Sequence, residues 1–165
     1  MEIRDWWGVY FLVSSCSLDR AQDRFCSEFS AFSFGGAQSV PLSYDNNFKF
    51  SEATMTLTAG RDWTAQGVTQ LSLWFRGKSA NAAERMYVVL NGTAVVYHDN
   101  PNAAQIDRWT QWVISLQKFA DLGVNLANVT SITIGFGTPG NTTTPGGSGQ
   151  MYFDDIRLYR PGDAP

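Results

Sequence analysis

The sequence has few of the residues that most catalytic and metal centres use. Its 165 residues include one histidine and two cysteines, too few for a zinc site built from several His and Cys ligands. There is no Gly-x-Ser-x-Gly nucleophile elbow and no glycine-rich phosphate loop. These absences exclude a His-rich metal centre and argue against serine-hydrolase and phosphate-loop chemistry.

Clustered positive charge and long apolar runs are also missing. Twelve Lys and Arg against fifteen Asp and Glu give a net charge of -3, and the basic residues are scattered, whereas nucleic-acid binding needs a basic face. No apolar run reaches the roughly 20 residues that cross a bilayer. We therefore expect no nucleic-acid partner and no membrane span.

The first residues allow two interpretations. The run "WWGVYFLVSSC" ends at Cys16 in a sequence like a bacterial lipoprotein cleavage box, but the preceding "MEIRD" lacks the positive leader of a signal peptide. The alternative interpretation is a buried strand. Cys16 and Cys26 are the only cysteines, so a single disulfide is open to the chain.

Apolar and aromatic residues are abundant, at 44% and 14%. A chain of this length fits one domain, residues 1–165, because a single core usually serves about 100 to 200 residues. Helical periodicity is almost absent, and short alternating runs recur between Gly, Asn, Asp and Pro clusters. Seven or eight such strands predict an all-β fold, a β-sandwich or jelly roll.

The alternation assigns faces to individual strands. In "TQLSLWFRG", Leu71, Leu73 and Phe75 share one face, and Trp74 and Arg76 share the other. The same reasoning places Glu52, in "SEATMTL", and Tyr87, in "RMYVVLNGTAVVYHD", on outward positions. Asn-Gly between two alternating runs is the strongest short-range hairpin signal, so a hairpin is predicted at "NG" in the second segment.

The closing strand, "MYFDDIRLYR", contains two adjacent carboxylates. Strict alternation places Asp154 inward and Asp155 outward with Arg157. A buried ionised Asp must be satisfied by backbone N–H groups, an Arg or a metal. Calcium would satisfy it, since Ca²⁺ takes six to eight oxygen ligands; a hydrogen-bonded turn or an Arg partner is the alternative.

The outward positions together suit a sugar ligand. Trp74 could stack on a pyranose, and charged neighbours could bind its hydroxyl groups. Cross-strand ion pairs beside a half-buried ring explain the same residues without a ligand. The predicted ligand-binding residues are Trp74, Arg76, Tyr87, Asp155 and Arg157.

Seven segments follow one another between about residue 36 and residue 160: "GGAQSVPLSYDN", "SEATMTL", "DWTAQGVTQLSLWFRG", "YVVLNGTAVVYHD", "WTQWVISLQKF", "GVNLANVTSITIGFG" and "GGSGQMYFDDIRLYR". In their order and spacing the chain resembles the galactose-binding-like jelly-roll modules of large secreted bacterial proteins, the architecture of many carbohydrate-binding modules. Residues 1–35 diverge from the usual first strand of these modules, which carries a Phe-Glu or similar pair near the metal site.

The resemblance implies a non-catalytic module that attaches a secreted or cell-surface bacterial protein to a polysaccharide. Such modules are usually one part of a longer polypeptide and hold a structural calcium ion near the last strand. The resemblance implies that Asp154, alone or with Asp155, is the acidic ligand of that calcium ion.

Two other functions are compatible with the residues. A jelly-roll glycoside hydrolase needs two carboxylates held about 5 to 10 Å apart across the sugar, and Glu52 and Asp155 are the candidates. A structural or adhesive module without sugar specificity needs no particular site. Release of reducing ends would identify the enzyme, and absence of retention on any glycan would identify the adhesive module.

Overall fold

The computed structural model describes residues 39–160. The divergent segment 1–35, with Cys16 and Cys26, lies outside the described residues. The regular secondary structure of the described residues consists of eight strands, one α-helix and three short 3-10 turns. The strands are β1 Val40–Asp45, β2 Ser51–Thr56, β3 Gln70–Arg76, β4 Met86–Leu90, β5 Ala94–Tyr97, β6 Thr110–Ser115, β7 Ser131–Phe136 and β8 Ser148–Tyr159; α1 is Leu116–Asp121, and the 3-10 turns are Ala65–Gly67, Ala103–Gln105 and Leu126–Asn128.

The eight strands form two antiparallel sheets that face each other. The first sheet has the strand order β1-β8-β3-β6, and the second has the order β2-β7-β4-β5. Neighbouring strands in a sheet are mostly distant in sequence, so the chain crosses repeatedly between the sheets. The predicted all-β sandwich is confirmed. Within residues 39–160, no helix is long and apolar enough to cross a membrane.

The core fills the space between the sheets with side chains at alternate strand positions. Leu71, Leu73 and Phe75 of β3 are buried there, as predicted, and Ile132 and Ile134 of β7 face them. Each residue buried in this way gains roughly 1.5 to 3 kcal/mol relative to an exposed side chain. Period-two alternation therefore fixes which face of each strand is internal.

The predicted hairpin joins β4 to β5. Asn91 and Gly92 both adopt the left-handed conformation, with φ of 53° and 69°, which is the geometry that favours Asn-Gly in tight hairpins. The Asn91 side chain also accepts a hydrogen bond from the Thr130 backbone N–H at 2.7 Å. The turn thus both closes the hairpin and ties it to the start of β7.

The closing strand β8 departs from the alternation expected of it. Phe153 is buried in the core opposite Phe75, and Asp154 pairs with Trp74 on the outer face. The register between β3 and β8 then shifts, and Asp155 has a φ of 54°. An extra residue of this kind is a β-bulge, which reverses the facing of the residues that follow. The inward orientation predicted for Asp154 is therefore wrong.

Candidate functional site

A row of three polar and aromatic side chains crosses the outer face of the first sheet. Trp74 lies in the central strand β3, with Gln111 of β6 opposite it on one side and Asp154 of β8 on the other. Directly opposed residues of antiparallel strands point to the same face, and two interstrand spacings make the row about 10 Å long. All three side chains are partly exposed.

A second row borders the first along β3. Arg76 pairs with Tyr152 of β8, and the Arg76 Nε donates to the Asp107 carbonyl at 2.9 Å. The Tyr152 hydroxyl lies 3.0 Å from Gln150 Oε1, which also accepts from Lys78 Nζ at 2.6 Å. The outer face of the first sheet thus combines the partly exposed ring of Trp74 and the 7% exposed ring of Tyr152 with amide, guanidinium, ammonium and carboxylate groups.

The bulge places the two carboxylates in different roles. Asp154 Oδ1 accepts a hydrogen bond from the Asp155 backbone N–H at 2.8 Å. The Asp155 carboxylate forms an ion pair with Arg157, and Arg157 lies opposite Ser72 on the outer face. Ser72 in turn accepts a hydrogen bond from Gln111 Nε2 at 2.8 Å. Asp155 and Arg157 therefore extend the polar face that contains Trp74.

Tyr87 and Glu52 lie on the outer face of the second sheet, not with Trp74. Tyr87 pairs with Gly135, and Gly135 pairs with Glu52. The Tyr87 ring passes over Gly135, where no side chain intervenes, and its hydroxyl donates to Glu52 Oε1 at 2.7 Å. Burial and the Glu52 hydrogen bond raise the pKa of Tyr87 above its usual range.

The prediction that Tyr87 joins the Trp74 face is therefore wrong. Tyr87 is 0% exposed, so its ring offers no surface to a ligand in this conformation. Strand alternation correctly predicted that the Tyr87 side chain points away from the core. It does not specify which of the two sheets a strand joins. Of the five predicted ligand-binding residues, the structure brings four onto one face: Trp74, Arg76, Asp155 and Arg157.

Comparisons with known proteins give matches at the level of structure alone. No family model matches the chain, and no curated protein matches it in sequence. The family 11 carbohydrate-binding module of a cellulosomal cellulase of Clostridium thermocellum superposes with a TM-score of 0.58 at 15% identity, over 81% of each chain. The family 30 module of another cellulosomal cellulase of this organism gives 0.57 at 11% identity, over 82% of each chain.

The fold is the jelly roll of carbohydrate-binding modules. An exo-beta-agarase also matches, with a TM-score of 0.56 at 10% identity, over 95% of this chain and 25% of the agarase chain. At these identities the comparisons establish the architecture, and the resemblance noted from the segments of the sequence is confirmed at that level.

The described residues around Asp154 do not by themselves form a calcium site. Its Oδ1 is engaged by the Asp155 backbone, and the adjacent Asp155 carboxylate is paired with the Arg157 cation. Within residues 39–160, no group of three or more His, Cys, Asp or Glu side chains could hold a metal ion. Calcium at Asp154 stays a prediction without support from the described residues.

The carboxylates suggested for an enzyme are also separated by the fold. Glu52 lies on the outer face of the second sheet and Asp155 on the outer face of the first. Two packed sheets, whose backbones lie about 10 Å apart, stand between them. These two side chains cannot flank one glycosidic bond, because such a pair must reach the same sugar ring.

Sequence reasoning missed Gln111 and Tyr152 as members of the face. Gln111 precedes the buried Trp112 in "TQWVIS", so alternation alone could have identified it as outward. Tyr152 lies two residues before Asp154, so alternation without the bulge places it inward as well, whereas the structure pairs it with Arg76. The signal for the bulge was the Asp-Asp pair itself, since Asp tolerates the left-handed backbone better than most residues.

Proposed function

We propose that the protein is a non-catalytic carbohydrate-binding module that holds a polysaccharide chain against the outer face of the first sheet. The observation that carries the proposal is the row of Gln111, Trp74 and Asp154 across three neighbouring strands. A ring flanked by hydrogen-bonding groups on both sides matches the chemistry of a pyranose, which has apolar faces and a rim of hydroxyl groups.

The outer face around the row favours a chain over a single sugar. Arg76 adjoins the row on one side and Arg157 adjoins it on the other. Their cross-strand neighbours Tyr152 and Ser72 are 7% and 0% exposed, so they support the face from below. Hydroxyl groups of successive sugars could therefore meet a guanidinium group on either side of the row. Because each contact displaces ordered water and fixes a flexible side chain, the net affinity is expected to be modest.

The fold neighbours support the same conclusion. One of them is a family 11 module of Clostridium thermocellum in complex with a beta-1,3-1,4-mixed-linked tetrasaccharide, with a TM-score of 0.55 at 15% identity, over 81% of this chain and 82% of that chain. Modules of cellulosomal cellulases act as parts of larger proteins, and the agarase is a larger chain matched over 25% of its length. A secreted or cell-surface location within a longer bacterial polypeptide is part of this proposal.

Retention on polysaccharides tests the proposal directly. The protein would be incubated with a panel of insoluble and soluble polysaccharides, and Trp74→Ala compared with the original chain. We expect Trp74→Ala to weaken retention at least about tenfold, since buried Trp anchors typically contribute about 2 kcal/mol or more to binding.

Tyr97→Ala is the matched control, because it removes a partly exposed ring from the outer face of the second sheet. Tyr97 contacts Tyr87 and Arg85 there, so its removal should leave retention unchanged. Equal retention by the original chain and Trp74→Ala, with both folded, would overturn the assignment of the face. No retention of the original chain on any glycan would favour the structural or adhesive alternative.

A further inference from the structure

Positive charge collects at one end of the outer face of the first sheet, beyond the row that contains Trp74. Arg76 lies two residues farther along β3 than Trp74, a distance of about 7 Å, and Lys78 follows just after the strand ends. Lys78 is exposed. Two cations thus stand together on a chain whose net charge is -3.

Lys78 is held over this end of the face by neutral groups. Its Nζ donates to Gln150 Oε1 at 2.6 Å and lies 5.8 Å from the centroid of the Tyr152 ring. The Tyr152 hydroxyl donates to the same Gln150 oxygen at 3.0 Å, and Tyr152 pairs with Arg76. An ammonium group has three N–H donors, and within residues 39–160 Lys78 forms no ion pair. Its position is therefore fixed while its charge is not neutralised.

The strand positions next to Arg76 and Lys78 carry no carboxylate. On β1 and β8 these positions are Pro41, Ser43, Gln150 and Tyr152. The loop before β6 also reaches Arg76, whose Nε donates to the Asp107 carbonyl at 2.9 Å. Asp107 is followed by Arg108, so this loop contributes one charge of each sign. The end of the face that contains Lys78 is therefore net positive.

Carboxylates occupy the remaining rows of the face. Asp154 lies in the Trp74 row, and at the opposite end the Arg157 cation is paired with Asp155. An anionic group over Trp74 would approach the Asp154 carboxylate, and one over Arg157 would meet an existing ion pair. The face therefore accommodates an anion best one row beyond Trp74, at the end that contains Lys78.

We propose that the polysaccharide is anionic, with a carboxylate or sulfate group that binds to Arg76 and Lys78. The inference rests on the proposed function, because the sugar next to the anionic one stacks on Trp74. A guanidinium group and an ammonium group form charge-assisted hydrogen bonds with both kinds of anion. These contacts lie at the protein surface, so a high salt concentration screens them. The charge at this end of the face would select among polysaccharides that Trp74 alone does not distinguish.

Binding to matched pairs of soluble polysaccharides tests the inference. The probes are polyuronates and sulfated polysaccharides, each compared with its own carboxyl-reduced or desulfated form. At low ionic strength we expect the original chain to bind the anionic member of a pair about five- to tenfold more tightly, because two exposed ionic contacts are gained. In about 0.5 M NaCl this preference should fall below about twofold, because salt screens the contacts. The kind of pair that shows the preference identifies the group as a carboxylate or a sulfate.

Three variants locate the charge that is responsible. Lys78→Gln keeps a polar side chain but removes the ammonium group, and should lower the preference for the anionic member about threefold. Lys78→Arg restores a cation and should keep most of the preference. Lys118→Gln is the matched control, because it removes the same charge from an exposed position of α1. That helix follows Ser115, which pairs with Gln70 at the other end of β3, so the preference should be unchanged.

A preference that falls in Lys78→Gln and persists in Lys78→Arg and Lys118→Gln supports the inference. Equal affinity of the original chain for both members of every pair would overturn it and leave the proposed function intact, since a neutral polysaccharide is then bound as well. An equal fall in Lys78→Gln and Lys118→Gln would also overturn it, because the net charge of the protein would then explain the preference. Binding to no polysaccharide, neutral or anionic, would overturn the proposed function together with this inference.

Discussion

His98 is a half-buried side chain held by aromatic rings just after β5. Its ring centroid lies 5.4 Å from that of Phe75 and 4.9 Å from that of Trp112. The Asn100 backbone N–H donates to His98 Nδ1 at 3.0 Å, which requires Nδ1 to be unprotonated. Burial lowers the pKa of His98, partly offset by the Asn100 backbone and the charge of Asp99. The folded state therefore prefers the neutral imidazole.

This preference predicts a loss of stability in mild acid. Above about pH 6.5, the ordinary pKa of His, both folded and unfolded states are neutral at this position and the contribution is constant. As pH falls below 6.5, the unfolded state takes up the proton first, so the free energy of unfolding decreases until pH passes below the folded pKa. Urea unfolding at about pH 8, 6.5 and 5 would measure this decrease in the free energy of unfolding.

His98→Gln is the control for this effect, because it cannot be protonated in that range. Its free energy of unfolding should vary less between pH 6.5 and 5 than that of the original chain. The same slope in both proteins would contradict a depressed His98 pKa. The pKa of Asp45 is also shifted, and its hydrogen bond with Lys49 is the largest cause of the lowering. Asp45 therefore affects the pH dependence of stability only in more acidic solution.

At the scale of a strand, the bulge in β8 decides what the candidate face contains. Before the bulge, Tyr152 and Asp154 point outward; after it, Arg157 points outward, and Ile156 and Leu158 pack against the core. Without the extra residue, the second half of the strand would turn its apolar side chains to solvent and Arg157 to the core. The left-handed backbone at Asp155 is thus the condition for a continuous polar face.

The bulge predicts a strong dependence on the residue at position 155. Asp155→Gly relieves the left-handed strain but loses the ion pair with Arg157, and should change the free energy of unfolding by less than about 1 kcal/mol. Asp155→Val loses the same ion pair and places a β-branched residue at positive φ, which should cost about 1 to 3 kcal/mol more. Because both variants lose the ion pair, the difference between their free energies of unfolding in urea reports the cost of the left-handed backbone. Equal free energies would contradict the bulge.

At the scale of the whole molecule, the sandwich separates two outer faces of different character. The face with Trp74 is partly exposed and carries mixed charge. On the other face, Tyr87, Val89 and Thr133 are buried, and Arg85 lies over the Tyr97 ring at 4.1 Å. Glu52 belongs to this second face, so the molecule does not bring it to the side where we propose that a glycan binds.

We therefore expect no hydrolysis that depends on Glu52 and Asp155 as a pair. Incubation with each polysaccharide that is retained should release no new reducing ends above the level of heat-denatured protein. Glu52→Gln should leave both retention and the reducing-end signal unchanged. Reducing ends that disappear in Glu52→Gln and in Asp155→Asn would contradict the separation of the two faces.

The sequence by itself determined the all-β sandwich, the internal faces of most strands and the Asn91-Gly92 hairpin. These features depend on period-two burial and on local backbone preferences, which short segments express without reference to the rest of the chain. It also determined that Trp74 and Arg76 point outward. The tertiary structure decided the rest, because sheet membership and register come from pairing between strands that are distant in sequence. Pairing of β8 with β3 produced the bulge that reversed Asp154, and assignment of β2 and β4 to the second sheet removed Glu52 and Tyr87 from the Trp74 face.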